Sequence, residues 1–296
     1  MYNFKKNVKL YIVENGNKHS IEVYSDVSAS QTFDEQSNKL KTLHDLNALH
    51  ESASITKANI GNFSFTTPIH NTTVTPIVLT LGTTYSSGTV SFFDIYIESD
   101  NVIYKLEKAV IESMTFNIER NTVLTVSISG SAAKLLLHST LAAPVAIPGT
   151  LVVVASKTYA AVKGLNVSIA GTTLSSIAAV NMDIANEVSW LNYNTMQNSL
   201  AGNIAYPSNY VVQGRTLSGS VTEFLTTENI STITDTSTIA PLVLDIYDGN
   251  TVPILKFNLP SVVFTRRLNM EEIFNRVYDF RLNSNSTNVK PIYKGV

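Results

Sequence analysis

The chain has 296 residues, no cysteine, and a formal charge of −2 from 21 Lys and Arg against 23 Asp and Glu. Lack of cysteine excludes a disulfide frame, a thiolate metal site and a thiol nucleophile. The balanced charge excludes the basic face of a dedicated nucleic-acid binder. Charged residues are only 15% of the chain, and Ser, Thr and Asn supply the polarity instead. A chain of this kind is expected to hide much of its surface in an assembly. The length suits one large domain or two of ordinary size.

The N-terminal stretch "MYNFKKNVKLYIVENG" has an apolar run, Leu10 to Val13, too short for a signal peptide. No run reaches the roughly 20 apolar residues of a membrane helix, so a soluble protein, made in the cytoplasm, is expected. After the strand "SIEVYSDV" comes a long ribbon, "SASQTFDEQSNKLKTLHDLNALHESASITKAN". Then the period is two: Phe63 and Phe65 alternate with Ser64 and Thr66, and Phe93, Ile95 and Ile97 with Asp94, Tyr96 and Glu98. Leu124, Val126 and Ile128 alternate with Thr125, Ser127 and Ser129. Successive strand side chains point to opposite faces, so each stretch has one buried and one polar face. Between the strands, 73–82 predicts a short helix with Pro76 in its first turn, and 226–237 predicts another. Asp248-Gly249 reads as a hairpin turn. The chain is mainly β, with one small helix in each half.

The two prolines and glycine of "LAAPVAIPGT" mark a linker at 141–150. It divides the chain into a first β domain, 1–140, and a second, 151–284, followed by a C-terminal arm, 285–296. The halves match in order: 9–13 with 150–154, 25–33 with 165–173, 62–69 with 216–224, and 92–116 with 243–264. The last pair shares Asp-Ile-Tyr, a turn, a second strand and a Ser-x-x-Phe. This order points to duplication of a β domain.

Chemistry is not supported. His44 and His50 stand six apart, whereas helical metal pairs need three or four and strand pairs two. Ser-rich "TLSGSVTE" lacks the presentation of a nucleophile. The acidic pairs Asp34–Glu35, Glu98–Asp100 and Glu271–Glu272 flank turns. "DIYDGN" lacks the later acidic ligand of a calcium loop, and Arg266–Arg267 suits a strand-end salt bridge. A lone Trp190 near Tyr193 suits a packing anchor. No catalytic, cofactor-binding or metal site emerges.

The arm, strand, long ribbon and "FSFTTPI", with "GRTLSGSVTEFLTTEN" as the matching second segment, resemble phage tail tube proteins. The internal duplication resembles the fused tail tube proteins of T-five-type siphophages, from about Lys5 to Asn283. The segment after it is too short for the decoration domain such proteins can carry. The resemblance implies two tandem β-sandwich domains, each with a flanking helix, whose sheets join neighbours in a barrel around a channel. It implies a non-enzymatic major tail tube subunit in the virion tail, needing no cofactor, and trimeric, pseudo-hexameric rings stacked into a tube for DNA ejection. The implied partners are itself, a tape measure protein in the lumen, and tail tip and terminator proteins. DNA passes without specific binding, and no membrane is involved. The charged first ribbon and its more apolar counterpart in the second copy, "IAGTTLSSIAAVNMDIANEVSWLNYNTMQNS", are then long loops making different ring-to-ring contacts, with Phe33, Asp34, Glu35, Lys39, Lys41, His44 and Asp45 as candidates in the first and Trp190 and Tyr193 in the second. A tandem β-sandwich adhesin or carbohydrate-binding tail component is the other class open at this point.

Overall fold

The computed structural model describes residues 8–24, 27–38, 52–70, 75–83, 85–86, 89–100, 102–154, 158–191, 206–229, 239–270, 272–283 and 292–293. The chain is mainly β, as the alternation predicts. Its elements begin with β1 (Lys9–Glu14), β2 (Asn17–Ile21), β3 (Ser28–Ser30), β4 (Phe33–Asn38), β5 (Ser52–Ala58) and β6 (Gly61–Pro68). Helix α1 (Ile77–Thr83) follows, then β7 (Tyr85–Ser86), β8 (Thr89–Val90), β9 (Phe93–Ser99), β10 (Val102–Ile118), β11 (Thr125–Ala132) and β12 (Lys134–Thr140). The remainder is β13 (Thr150–Leu151), β14 (Gly164–Ile169), β15 (Thr172–Thr173), β16 (Ile177–Leu191), β17 (Asn209–Phe224), β18 (Ile239–Tyr247), β19 (Leu255–Asn269), β20 (Asn275–Leu282) and β21 (Ile292–Tyr293).

Pairing follows one order twice. In the first part the strands run β3-β6-β11-β10, and the N-terminal portion of β10 joins a second layer, β2-β1-β9-β10-β12. Later the order is β16-β17-β20-β19, and the N-terminal portion of β19 joins β15-β14-β18-β19-β21. The long strands β10 and β19 each pass from one layer to the other. In β10 the bend falls at Lys108, whose φ is 52° and whose N–H donates to Asp94 Oδ1 at 3.0 Å. The aspartate of each Asp-Ile-Tyr forms an ion pair with a lysine on the next strand: Asp94 with Lys105 at 2.9 Å and Asp245 with Lys256 at 3.5 Å.

The apolar positions of each layer face inward and form one cluster that runs through both parts. Phe116 on β10 meets Phe257 on β19 edge-to-face, with ring centroids 5.1 Å apart. Helix α1 packs on this core so closely that a Cβ at Gly82 would lie 1.9 Å from Met114 Sδ. It runs from Ile77 to Thr83 rather than over 73–82, with Pro76 just before its first residue and the Pro76 carbonyl accepting from Leu79 N–H at 3.0 Å.

Several expectations need correction. The counterpart of β1, by pairing, is β14, not 150–154, because Thr150 and Leu151 lie parallel to Asn17 and Lys18 of β2. The Val-Ser shared by 25–33 and 165–173 is therefore misleading, since 165–169 belongs to β14. Among the described residues, both ribbons are largely strand rather than loop. The first contains β3 and the β4–β5 hairpin, and the second contains β16, paired along its length with β17. The second predicted helix has only 226–229 among the described residues. They form a turn in which Asn229 Oδ1 accepts from Thr226 N–H at 2.7 Å. In the segment read as a C-terminal arm, Ile292 and Tyr293 pair with β19.

Candidate assembly surface

The layer formed by β3-β6-β11-β10 continues directly into β16-β17-β20-β19, because β10 and β16 pair antiparallel from Ser113↔Ala185 to Ile118↔Val180. This seam joins the two strand orders into one sheet. On the side away from the core, the even alternation of each strand presents small polar groups. One cross-strand row contains Thr66, Ser127, Thr115, Asp183, Ser218 and Arg281, strand by strand. The next contains Asn117, Asn181, Ser220, Asp279 and Thr265. These groups bond mainly to one another. Thr66 and Ser127 hydroxyls are 3.1 Å apart, Asn117 Nδ2 donates to Thr125 and Ser127 at 3.2 Å, and Thr115 Oγ1 donates across the seam to Asp183 Oδ1 at 2.6 Å. Arg267 and Asp279 neutralise one another through two bonds of 2.7 and 3.1 Å, the strand salt bridge expected of "RRL". The face is therefore broad, hydroxyl- and amide-rich, and weakly charged.

The seam is reinforced beyond its ladder. Trp190 on β16 donates its indole N–H to Ser131 Oγ on β11 at 2.7 Å, and the Ser131 hydroxyl in turn donates to Glu112. The Trp190 ring lies 5.2 Å from Tyr210, whose hydroxyl donates to the Val90 carbonyl. Val90, Val110 and Val212 complete a small apolar cluster around them. Buried Asn186 donates to the carbonyls of Ile111 at 3.0 Å and Gly82 at 3.4 Å, and Arg215 donates to the Thr83 carbonyl at 2.7 Å. Each such bond satisfies backbone that burial would otherwise leave unpaired.

Two arms leave the sheet from the end where Gly61 and Val110 lie. One is the β4–β5 hairpin; the other is the outer part of β16–β17, carrying Trp190 and Tyr210. Phe33, 43% exposed, meets Tyr206 edge-on at 6.5 Å, and Lys134 Nζ sits 4.6 Å from the same ring. Asp34 accepts from Asn59 Nδ2 at 2.9 Å, and Glu35 is exposed on β4. Phe33 and Trp190 thus make contacts within the chain, Trp190 as the packing anchor its isolation suggested. Lys39, Lys41, His44, Asp45 and Tyr193 lie outside the described residues. At the opposite end, the β10–β11 turn is polar, with Glu119 and Arg120 exposed. The β19–β20 turn instead carries exposed Leu268, Met270, Ile273 and Phe274.

Among the described residues no three His, Cys, Asp or Glu side chains gather as for a metal ion. No described helix is long and apolar enough to cross a membrane. A cavity of about 100 Å³ between β2, α1 and the 152–154 segment is lined by His19, Glu22 and His70. His70 there contacts Glu22 at 3.2 Å and Tyr159 ring-to-ring.

The polar face is the outer half of each alternation in the sequence. The meeting of Thr115 with Asp183 has no such signature, since no local signal reports a pairing between residues so far apart in the chain. Two repeated strand orders, fused edge to edge beneath a hydroxyl face, describe a structural β-sheet protein. The whole chain, residues 1–296, matches the model of the Bacteriophage Baseplate Tube Protein Family, and it belongs to that family. It is thus a structural component of a phage tail. No curated protein matches the chain.

Proposed function

We propose that this chain is a ring-forming subunit of a hollow phage tube, three copies presenting six tandem sheets around a channel for DNA. The halves 1–140 and 151–284 act as the two copies of one building block. Between the long tail tube and its baseplate end, the family description favours the baseplate end. The observation that carries the reading is the hydroxyl-rich face continuous across β10 and β16. A conduit for DNA must not hold its cargo, and a wall of Ser, Thr and Asn with self-neutralised charges offers phosphate neither a cationic site nor a strong barrier. Fusion of the two copies supports it further, since half of all sheet-to-sheet contacts become intramolecular at high effective concentration.

Negative-stain microscopy of concentrated protein tests the reading. Rings or tubes with a central channel are expected, alone or with baseplate extract as nucleus. Globular monomers under every condition would overturn it. Lysines placed at Ser64 and Ser129 on the polar face should leave assembly intact while making the tube retain DNA in a salt-dependent manner.

A further inference from the structure

We infer that the free edge of β13 and the residues after it, Leu151 to Val153, receives an extended, uncharged segment of a different protein as a further strand. The inference rests on the tube reading for its direction: this edge belongs to the layer away from the polar channel face, so the segment approaches from outside the ring.

Hydrogen-bond direction supplies the argument. Thr150 and Leu151 lie parallel to Asn17 and Lys18 of β2, and the Thr150 and Val152 N–H groups donate to the Gly16 and Lys18 carbonyls, both at 2.9 Å. Main-chain groups of successive strand residues point to opposite edges, so Leu151 and Val153 turn theirs away from β2. Among the described residues, β13 pairs with no other strand. Gly149, with φ of 94°, lays the chain on β2 so closely that a Cβ there would lie 3.0 Å from the Gly16 carbonyl oxygen. The edge is thus held in extended form before any partner arrives. Val152 and Val154 line the cavity beside β2 and α1, while Leu151 and Val153 are 47% and 78% exposed.

The chemistry of the edge selects its occupant. From Leu135 to Ser156 the chain has no Lys, Arg, Asp or Glu, and 149–154 has no proline. Natural proteins guard a bare edge with just such residues. An incoming strand with apolar side chains at alternate positions covers Leu151 and Val153 while its main chain completes the ladder. A charged segment would lose hydration there and gain no counter-charge. A second copy of this chain fits less well. Pairing of β13 with another β13 requires a two-fold axis, which head-to-tail ring contacts do not supply. Ring contacts between tandem copies are also made by both halves, whereas this edge occurs in one. In the second half β15 takes the place of β2, and among the described residues it pairs only with β14.

Hydrogen exchange on the full chain, read by mass spectrometry of peptides spanning the edge, tests this. In the isolated chain the Thr150 and Val152 amides should exchange slowly and those of Leu151 and Val153 fast. In rings or tubes grown from the pure chain, Leu151 and Val153 should stay fast. In tails purified from the phage that encodes the chain, both should slow by about tenfold or more. Fast exchange in the tails would overturn the docking edge. Slow exchange already in pure tubes would show that a second copy covers it, and would overturn the foreign strand. Failure of the pure chain to form rings would overturn the tube reading, while the tails would still decide the edge. Val153→Pro deletes one outward N–H and spares the Val152 bond to β2. It should leave the melting temperature of the isolated chain unchanged and abolish the slow exchange of Leu151 in tails, which Val153→Ala should retain. A Val153→Pro chain that fails to fold would contradict the outward direction of that N–H, and slow Leu151 exchange persisting in its tails would overturn the strand pairing.

Discussion

The indole of Trp190 ties β16 to β11 through one hydrogen bond, and its removal can be worked through in energy. Trp190→Phe keeps a ring beside Tyr210 but deletes the N–H that Ser131 Oγ accepts at 2.7 Å. A net loss of about 1 kcal/mol is expected for that bond. Trp190→Ala also removes the ring pair, worth ~0.5–1.5 kcal/mol, and leaves space in the valine cluster, so about 2–3 kcal/mol is expected. Ser131→Ala strands both the indole N–H and the Glu112 carboxylate, at a cost of ~1–3 kcal/mol. Because the Trp190→Phe and Ser131→Ala effects share one bond, the double variant should fall short of their sum by about 1 kcal/mol. Thermal unfolding of dilute, unassembled protein reads this as ~2–4 °C per kcal/mol for a chain somewhat shorter than this one. Additivity within about 0.5 kcal/mol would show that the bond does not hold the seam and would refute the reasoning.

Gly219→Ala should destabilise strongly, because the new Cβ would sit 2.1 Å from the Asn181 carbonyl oxygen and 2.7 Å from Phe280. A loss of at least ~1–3 kcal/mol in urea unfolding is expected. Asn186→Ala should cost ~1–3 kcal/mol, since the Ile111 and Gly82 carbonyls lose their donor in a buried site; an unchanged melting temperature would contradict the buttress. Burial lowers the His19 pKa, opposed in part by Glu14. The unfolded chain then takes up the proton first, so this stability is present above about pH 6.5 and is lost as pH falls below it. Melting curves of His19→Gln should be flatter than wild type across that range. Burial pulls the Lys105 ammonium pKa down, but the Asp94 hydrogen bond and charge outweigh it and hold it above its ordinary value. Its contribution is present below about pH 10.4 and fades as pH rises through the raised value; Lys105→Met should remove that alkaline loss.

What could be read in advance was local. The alternation of Phe63, Phe65, Val126 and Ile128 with Ser and Thr names both faces of two strands, and each falls where expected. Pro76 marks the start of α1, and the turn at Asp248-Gly249 carries φ of 99° at the glycine. Asp-Ile-Tyr correctly aligned β9 with β18. Elsewhere short matches failed because strand partners are not written locally. The apolar run at 150–154 resembles β1, yet it contributes β13 beside β2. The second ribbon, polar and apolar by turns, reads as a loop only while its partner β10 is unknown. The seam depends on two strands more than sixty residues apart, so neither its existence nor the Trp190–Ser131 bond has a local signature.

The in-chain union of β10 with β16 also bears on counting. A ring built from this chain contains an even number of sheets whatever its size, because sheets arrive in inseparable pairs. Gaining or losing one subunit changes the circumference by two sheets at once. For a six-sheet ring that is a change of one third, far more angular misfit than a single-sheet error would cause. In the proposed ring, fusion thus makes the wrong diameter a distant state rather than a neighbouring one, and the bore is protected by arithmetic before any other protein acts on it.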